Sequence, residues 1–390
     1  MSAASTDTIQ RTIRALSDDL RVLSLDIHAH PELNFEERHA HAALTTFLEA
    51  RGFIVERGAH GIETAFVARF GSGSPTIALL CEYDALPEIG HACGHNLIAA
   101  SGAAAAIGVK EALPPDAGTL LVLGTPAEEG GGGKIILIDR GAFAQVDVAM
   151  MLHPSPGNNA WPAIMALHEL EVEFHGKNAH AAAYPWEGIN ALDAFVLAYN
   201  GIAALRQQLE PDTRVHGIVT DGGAKPNIIP DHTAADFYLR ARDNTKLATL
   251  KERVLACFTG AAQSTGCRLE HRWVGHPYYN MASNDPLAEA YVAHIGALGI
   301  TLPPKGVGPT AGSTDMGNVS HVVPSIHPMF AIETAGGNHT PEFTAAAATP
   351  EAHEAMLTAA TAMALTAHDL FTDPARLQRA RSAFEAQAGA

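Results

Sequence analysis

The sequence predicts an α/β protein: a mostly parallel, buried sheet in one domain, with a second domain of β-α-β-β-α-β order inserted into it. Two observations carry this. Short, continuously apolar runs alternate with helical stretches in the first part of the chain, and that character returns from about residue 285. Strands buried on both faces read this way. Between these parts, apolar and acidic positions alternate strictly, which marks strands with one face in water. The change of pattern sets the boundaries: residues 1–164 and 281–390 build the main domain, and residues 165–280 the insert.

The elements follow in order. Ile9, Ile13, Leu16, Leu20, Leu23 and Ile27 recur at steps of four and three, one apolar stripe on one helix, which Pro31 ends. Asn34 reads as the N-cap of the next helix, with Glu36 and Glu37 in its first turn. Leu44, Phe47 and Leu48 form its apolar face, and Gly52 closes it. Thr76–Cys81, 119–125 and 146–152 read as strands, and 94–111 and 133–140 as helices. In the insert, Leu170, Val172 and Phe174 alternate with Glu169, Glu171 and Glu173. A helix at 189–209, strands at 214–220 and 234–242, a helix at 246–265 and a strand at 267–274 complete a ferredoxin-like order. An Ala-rich helix at 351–370 lies near the end.

Composition narrows the partners. The 390 residues carry 25 Lys+Arg against 42 Asp+Glu, a net charge of −17, which argues against nucleic acid and anionic lipid. Four Cys make no disulfide framework. No apolar run reaches the roughly 18 residues of a membrane span, and the first residues do not follow a secretory pattern. These features predict a cytoplasmic protein. There are 21 His against 3 Trp and 7 Tyr, and His is both a metal ligand and a proton carrier near neutral pH.

Three segments carry the chemistry. In CEYDALPEIGHACGHN, Glu82, Asp84, His91, Cys93 and His95 follow a strand that ends at Cys81. In LLVLGTPAEEGGGG, the adjacent carboxylates of Glu128 and Glu129 follow the next strand and precede four glycines. His153 follows the third strand directly, and His339 lies in GGNHTPEF. Taken singly, each has an ordinary structural reading: a turn with a buried thiol, solvated loop charges, a packed histidine. Strand ends of a parallel sheet, however, open on one rim, where open α/β sheets place ligands. Cys93, His95, Glu128, Glu129 and His153 therefore meet there. Mixed sulfur, nitrogen and oxygen donors suit Zn²⁺, and Mn²⁺, Co²⁺ and Ni²⁺ are also compatible.

The motifs DALP, HACGHN, PAEEGGGG, a His after the next strand, a late His-Thr-Pro-Glu-Phe, and GKNAHAAAYPWEGINALDA in the insert occur in this chain. Jointly they resemble the aminoacylase/carboxypeptidase family of dinuclear metallohydrolases, over essentially the whole chain. The similar branch is that of amidohydrolases acting on p-aminobenzoyl-glutamate and N-acyl amino acids. The resemblance implies a metallopeptidase catalytic domain, an inserted lid that makes a homodimer, and two divalent ions. It implies Cys93, His95, Glu129, His153 and His339 as metal ligands and Glu128 as general base. Asp84 would orient a ligand from behind, and His180 would reach a neighbouring subunit's site and steady the oxyanion. Asn227 and Arg240 would hold the substrate's carboxylate or carbonyl, with Ser313 and Thr314 in a substrate-contacting loop. The substrate implied is a small amide with a free carboxylate: an N-acyl or aryl-linked amino acid, or a dipeptide. Two positions depart from the pattern: Asn96 stands where many relatives have Asp, and Glu82 where other branches have a His ligand or an Asp. His327 is a rival to His339; His339 matches the terminal motif and lies in a glycine-flanked loop.

Two other readings compete. Cys93 with a nearby His would make a metal-independent thiol hydrolase, which keeps its activity in EDTA. A non-catalytic binder of small carboxylates has little use for a base at Glu128. The glycine run lacks the Lys-Ser/Thr ending of a phosphate-binding loop.

Overall fold

A computed structural model describes residues 3–307 and 310–388. The chain divides into two units, residues 164–280 and everything on either side of them.

The main unit is built on a six-stranded sheet in the order Ile54–Arg57, Phe66–Ser72, Gly118–Gly124, Thr76–Cys81, Val148–Met150, Ser325–Ile326. The last four run parallel. Phe66–Ser72 and Ile54–Arg57 join antiparallel at one edge. Ile77, Leu79, Leu120, Val122, Val148 and Met150 are buried, as expected of strands covered on both faces. Because these four strands are parallel, the loops after Cys81, Gly124 and Met150 all leave on the same side.

Helix His95–Ala112 begins beside that rim and packs against Thr76–Cys81 and against helices Ala3–Ala15, Ser17–Ala29 and Pro350–Thr372. It is buried from His95 through Val109, so its sequence is apolar or small on every side. Ala99, Ala100, Ala103, Ala104, Ala105 and Ala106 favour the helix and let its neighbours approach closely.

Two of the helix assignments differ from expectation. The N-terminal stripe lies on two helices, Ala3–Ala15 and Ser17–Ala29, rather than one. At Leu16 the backbone turns to φ −91°, ψ 3°, and its N–H is shared between Thr12 O and Ile13 O, both at 3.2 Å. The stripe survives the break: Ile9, Ile13, Leu20, Leu23 and Ile27 are all buried. Asn34 is not an N-cap, because the following helix is Arg38–Glu49. Its first amides are satisfied from further upstream: the Glu32 carboxylate accepts from His39 N (2.8 Å) and Ala40 N (3.0 Å).

The inserted unit is a four-stranded antiparallel sheet ordered Arg268–Tyr278, Ala166–His175, His232–Ala241, Arg214–Asp221. This is the ferredoxin-like order. Leu170, Val172, Phe174, Phe237 and Leu239 project from one sheet face into a core with Ile202 of helix Ala191–Leu205 and Val254 and Phe258 of helix Asn244–Thr265. Both helices start on side-chain caps. Asn190 accepts from Leu192 N and Asp193 N, and Asp243 from Lys246 N. Arg214–Asp221 is an edge strand with Ile218 and Val219 exposed.

The seam between His95–Ala112 and the sheet generates a prediction. A Cβ at Gly102 would stand 2.6 Å from Cys81 Sγ and 2.8 Å from Leu80 O. Overpacking of this kind costs about 1–3 kcal/mol, against at most about 1 kcal/mol gained from Ala's helix propensity. Gly102→Ala lowers the urea midpoint of unfolding; a midpoint equal to wild type would show that this seam yields.

Candidate active site

Six side chains named from the sequence converge at the rim. Cys93, His95 and His153 each offer a ligand atom within 4.8 Å of the others, and so do Cys93, Glu129 and His339, and His95, Glu128 and Glu129. Cys93 belongs to two of these groups, Glu129 and His95 likewise, so the clusters are adjacent and share members.

Local backbone features aim these groups. Gly94 holds φ +77° at the start of helix His95–Ala112, and a Cβ there would meet Pro154 Cγ at 2.6 Å. The turn presents Cys93 and His95 on either side of the helix start. Ala127 is held at φ +60°, a strained value for a residue with a side chain. Its N–H donates to Glu37 Oε1 (2.8 Å), which also accepts from Phe35 N (3.0 Å). Glu37 thus pins the loop that delivers Glu128 and Glu129. Its carboxyl is pushed up to about 7, by burial first and then by Asp84. In the glycine run that follows, a Cβ at Gly133 would collide with Pro126 O. That run serves close packing of the loop, not a phosphate. His339 also has positive φ, +67°, with its N–H donating to Ala92 O at 2.8 Å.

The imidazole orientations are set from behind. Asp84 is buried; its Oδ1 accepts from His95 Nδ1 (3.0 Å) and its Oδ2 from Glu129 N (2.9 Å). One carboxylate thus fixes two neighbouring groups, and the other His95 nitrogen, Nε2, faces the cluster. His153 Nδ1 donates to Pro154 O at 2.7 Å, leaving Nε2 at 3.4 Å from Cys93 Sγ. Burial pushes the His153 pKa down to about 4, so its Nε2 lone pair is available near neutral pH. His339 Nε2 lies 3.5 Å from Glu129 Oε2, with its side chain 55% exposed. His327 is fully buried: its Nδ1 donates to Met151 O (3.2 Å) and its ring stands edge-on to His153. It backs the site, and His339 faces it.

Charge and orphaned atoms give the test of a metal. His95 Nε2, Glu129 Oε1 and Glu82 Oε1 are buried and have no hydrogen-bond partner. His95 Nε2 is 3.8 Å from oxygens of Glu82, Glu128 and Glu129. Buried carboxylates crowded this way are tolerated when a cation lies among them. The donor set of sulfur, imidazole and carboxylate fits a borderline divalent ion. Burial, reinforced by Glu82 and Glu129, pushes the Glu128 carboxyl well above its ordinary range, a perturbation of the kind found at groups that accept protons. Burial and Glu129 also push the Cys93 thiol up, against a free thiolate nucleophile.

Sequence reasoning missed the ion pair behind this site. Lys134 is fully buried, with Nζ on Glu82 Oε2 and 2.8 Å from Asp315 Oδ1, while its backbone N–H donates to Asp315 Oδ2 (2.8 Å). Burial alone would strip its proton; Asp315 and Glu82 outweigh that and raise its pKa. Burial likewise opposes ionisation of Glu82, and Lys134, His95 and His153 more than reverse it. Asp315 is pushed up to about 6, by burial first, against the pull of Lys134. Asn96, by contrast, faces away, donating to Ser24 Oγ (2.9 Å) and Ala347 O (3.1 Å). Thr314 is buried, its hydroxyl accepting from Met316 N (3.1 Å), and Ser313 beside it is half-buried.

The remaining groups lie on the inserted unit. His180 is exposed, and its Nδ1 accepts from Ala182 N (3.3 Å) and Ala183 N (3.2 Å). Asn227 is exposed in the facing loop, its carbonyl accepting from Ala181 N at 3.0 Å. Arg240 is half-buried on the sheet face opposite the helices, and burial lowers its pKa.

Lys134→Met leaves Glu82 and Asp315 buried without their counterion. Breaking such a pair costs about 3–5 kcal/mol, read by urea unfolding of the metal-free protein. A loss under about 1 kcal/mol, the worth of a surface pair, would refute the structural weight given to Lys134.

Comparison with known proteins agrees with this geometry. The profile of the M20 peptidase dimerisation domain matches residues 164–265. The chain is 46% identical to the Xaa-Arg dipeptidase of Homo sapiens, over 95% of this chain and 89% of the human protein. It is 32% identical to one of the subunits of p-aminobenzoyl-glutamate hydrolase of Escherichia coli, over 90% and 88% of the two chains. Among solved structures, a dinuclear metal-binding peptidase of the M20 family from Bacillus subtilis superposes with TM-score 0.73 at 20% identity, covering 92% of this chain and 99% of that one. The chain belongs to the M20 peptidase family of hydrolases.

Proposed function

We propose that this hydrolase cleaves the amide bond of a dipeptide or N-acyl amino acid with a free carboxylate, using two divalent ions and Glu128. The observation that carries the reading is the pair of adjacent ligand groups sharing Cys93: His95 and His153 on one side, Glu129 and His339 on the other. Zn²⁺ and Mn²⁺ are the first ions to test, with Co²⁺ and Ni²⁺ compatible with the same donors. When bound, such ions lower the pKa of a shared water and polarise the carbonyl under attack.

The chain's own groups supply the rest. Glu128 takes a proton from the attacking water and returns it to the leaving amine. Asp84 holds His95 and the Glu129 backbone in place during the exchange. His180 donates to the developing oxyanion; with Nδ1 accepting from two amides, a neutral ring carries its proton on Nε2. Arg240 takes the substrate carboxylate through its planar fork, and Asn227, Ser313 and Thr314 line the substrate. The name of the human relative makes dipeptides ending in arginine the first substrates to try.

The functional unit is a homodimer formed through the lid. The match to the dimerisation profile supports this, as do exposed Ile218 and Val219 on the edge strand and Val196, Leu197 and Tyr199 on helix Ala191–Leu205. Among the described residues no helix is long and apolar enough to cross a membrane. A cytoplasmic setting suits the four free cysteines.

Glu128→Gln retains its bound metal and loses about 10²–10⁴-fold in turnover, measured by free-amine release from a panel of dipeptides and N-acyl amino acids after metal reconstitution. Turnover within tenfold of wild type would remove Glu128 from its role, and wild-type activity that survives EDTA would favour the Cys93 thiol reading instead. His180→Ala is inactive alone and recovers activity when mixed with Glu128→Gln, because each mixed dimer then contains one intact composite site. No recovery in verified mixed dimers would make His180 local to its own subunit.

A further inference from the structure

The lid carries a second convergence of ligand atoms that the hydrolytic reading does not use. Strands Ala166–His175, His232–Ala241 and Arg268–Tyr278 are neighbours, and on the face opposite the lid helices they bring two histidines and two glutamates together. In register, His175 lies across from His232, and Glu173 lies across from Glu270. Facing carboxylates destabilise a sheet unless positive charge stands between them. Arg268 answers Glu270. Glu173 is approached instead by two imidazoles, with His175 Nε2 at 3.3 Å and His232 Nε2 at 3.2 Å from Glu173 Oε2. His175 Nε2 is also 3.5 Å from Glu270 Oε2. Ligands held about 2.0–2.1 Å from a tetrahedral ion are separated by about 3.3 Å, which these spacings match.

Two further observations point to an ion. His175 Nε2 is buried and makes no hydrogen bond, although its ring lies on a sheet face among charged groups. His232 is backed by a carboxylate: its Nδ1 donates to Asp221 Oδ2 at 2.7 Å, and Asp221 Oδ1 accepts from Gly223 N at 3.0 Å. That arrangement fixes the ring with Nε2 toward Glu173, as carboxylates do behind ligating histidines. We propose that Glu173, His175 and His232, completed by Glu270, bind a zinc-like divalent ion that ties three strands of the lid together.

The test uses the full-length protein stripped of metal and titrated with zinc. Bound ions are counted after desalting, and affinity is read by competition with a chromophoric chelator. His175→Ala and His232→Ala each bind one zinc fewer than wild type, with amide hydrolysis unchanged. Cys93→Ala keeps the lid ion and loses ions at the rim, so the lid site and the catalytic site fail independently. Asp221→Asn weakens the lid ion by about 10–100-fold. Glu173→Gln preserves side-chain size and also loses one zinc, covering the case in which a His variant does not fold. Equal zinc content in wild type, both His variants and Glu173→Gln overturns the proposal, since His232 would then be a protonated ring between Asp221 and Glu173. Zinc held at the lid only at millimolar concentration overturns it as well.

Discussion

The constraint that organises this molecule is an excess of buried negative charge at one edge of a sheet. Glu82, Asp84, Glu128 and Asp315 are all buried, Glu129 nearly so, and Lys134 is the lysine set among them. Removing carboxylates from water without compensation is among the most expensive things a fold can do. The chain answers with one fixed ammonium on the Glu82–Asp315 side and leaves the His95 side to mobile positive charge. Burial alone would keep His95 neutral, yet Asp84 and Glu82 raise its pKa well above the ordinary imidazole value. Metal binding at nitrogen and sulfur donors is in general coupled to loss of their protons.

Much of this edge is legible in the sequence because parallel strands deliver their loops to one side. Three strand ends, after Cys81, Gly124 and Met150, are enough to bring Cys93, His95, Glu128, Glu129 and His153 together by inference, and the structure brings them together in space. The strict alternation of Leu170, Val172 and Phe174 with glutamates points to the lid sheet equally directly.

What escapes such reading is long-range and polar. Lys134 finds Asp315 at a separation of 181 residues, and no local pattern marks such a pair. Glu37 reads as a first-turn helix residue, but its carboxylate reaches Ala127 N, 90 residues away. The edge strand Ile54–Arg57 and its neighbour Phe66–Ser72 leave a weak signal because they bury little; only Phe66 and Ala68 of the two are fully covered. The break at Leu16 leaves the apolar stripe intact, so periodicity alone cannot detect it.

The insertion of the lid has a bearing on how the molecule is made. The ribosome delivers Cys93, His95, Glu128, Glu129 and His153 before residues 164–280, and Asp315, the strand Ser325–Ile326 and His339 only after them. Domains emerging from translation fold as units while the remainder is still unmade. Until those later residues are made, Lys134 has no Asp315 to pair with and Glu129 no His339. The strand Ser325–Ile326, which pairs with Val148–Met150 at the end of the sheet, is therefore a late addition to a sheet whose other five strands are already made.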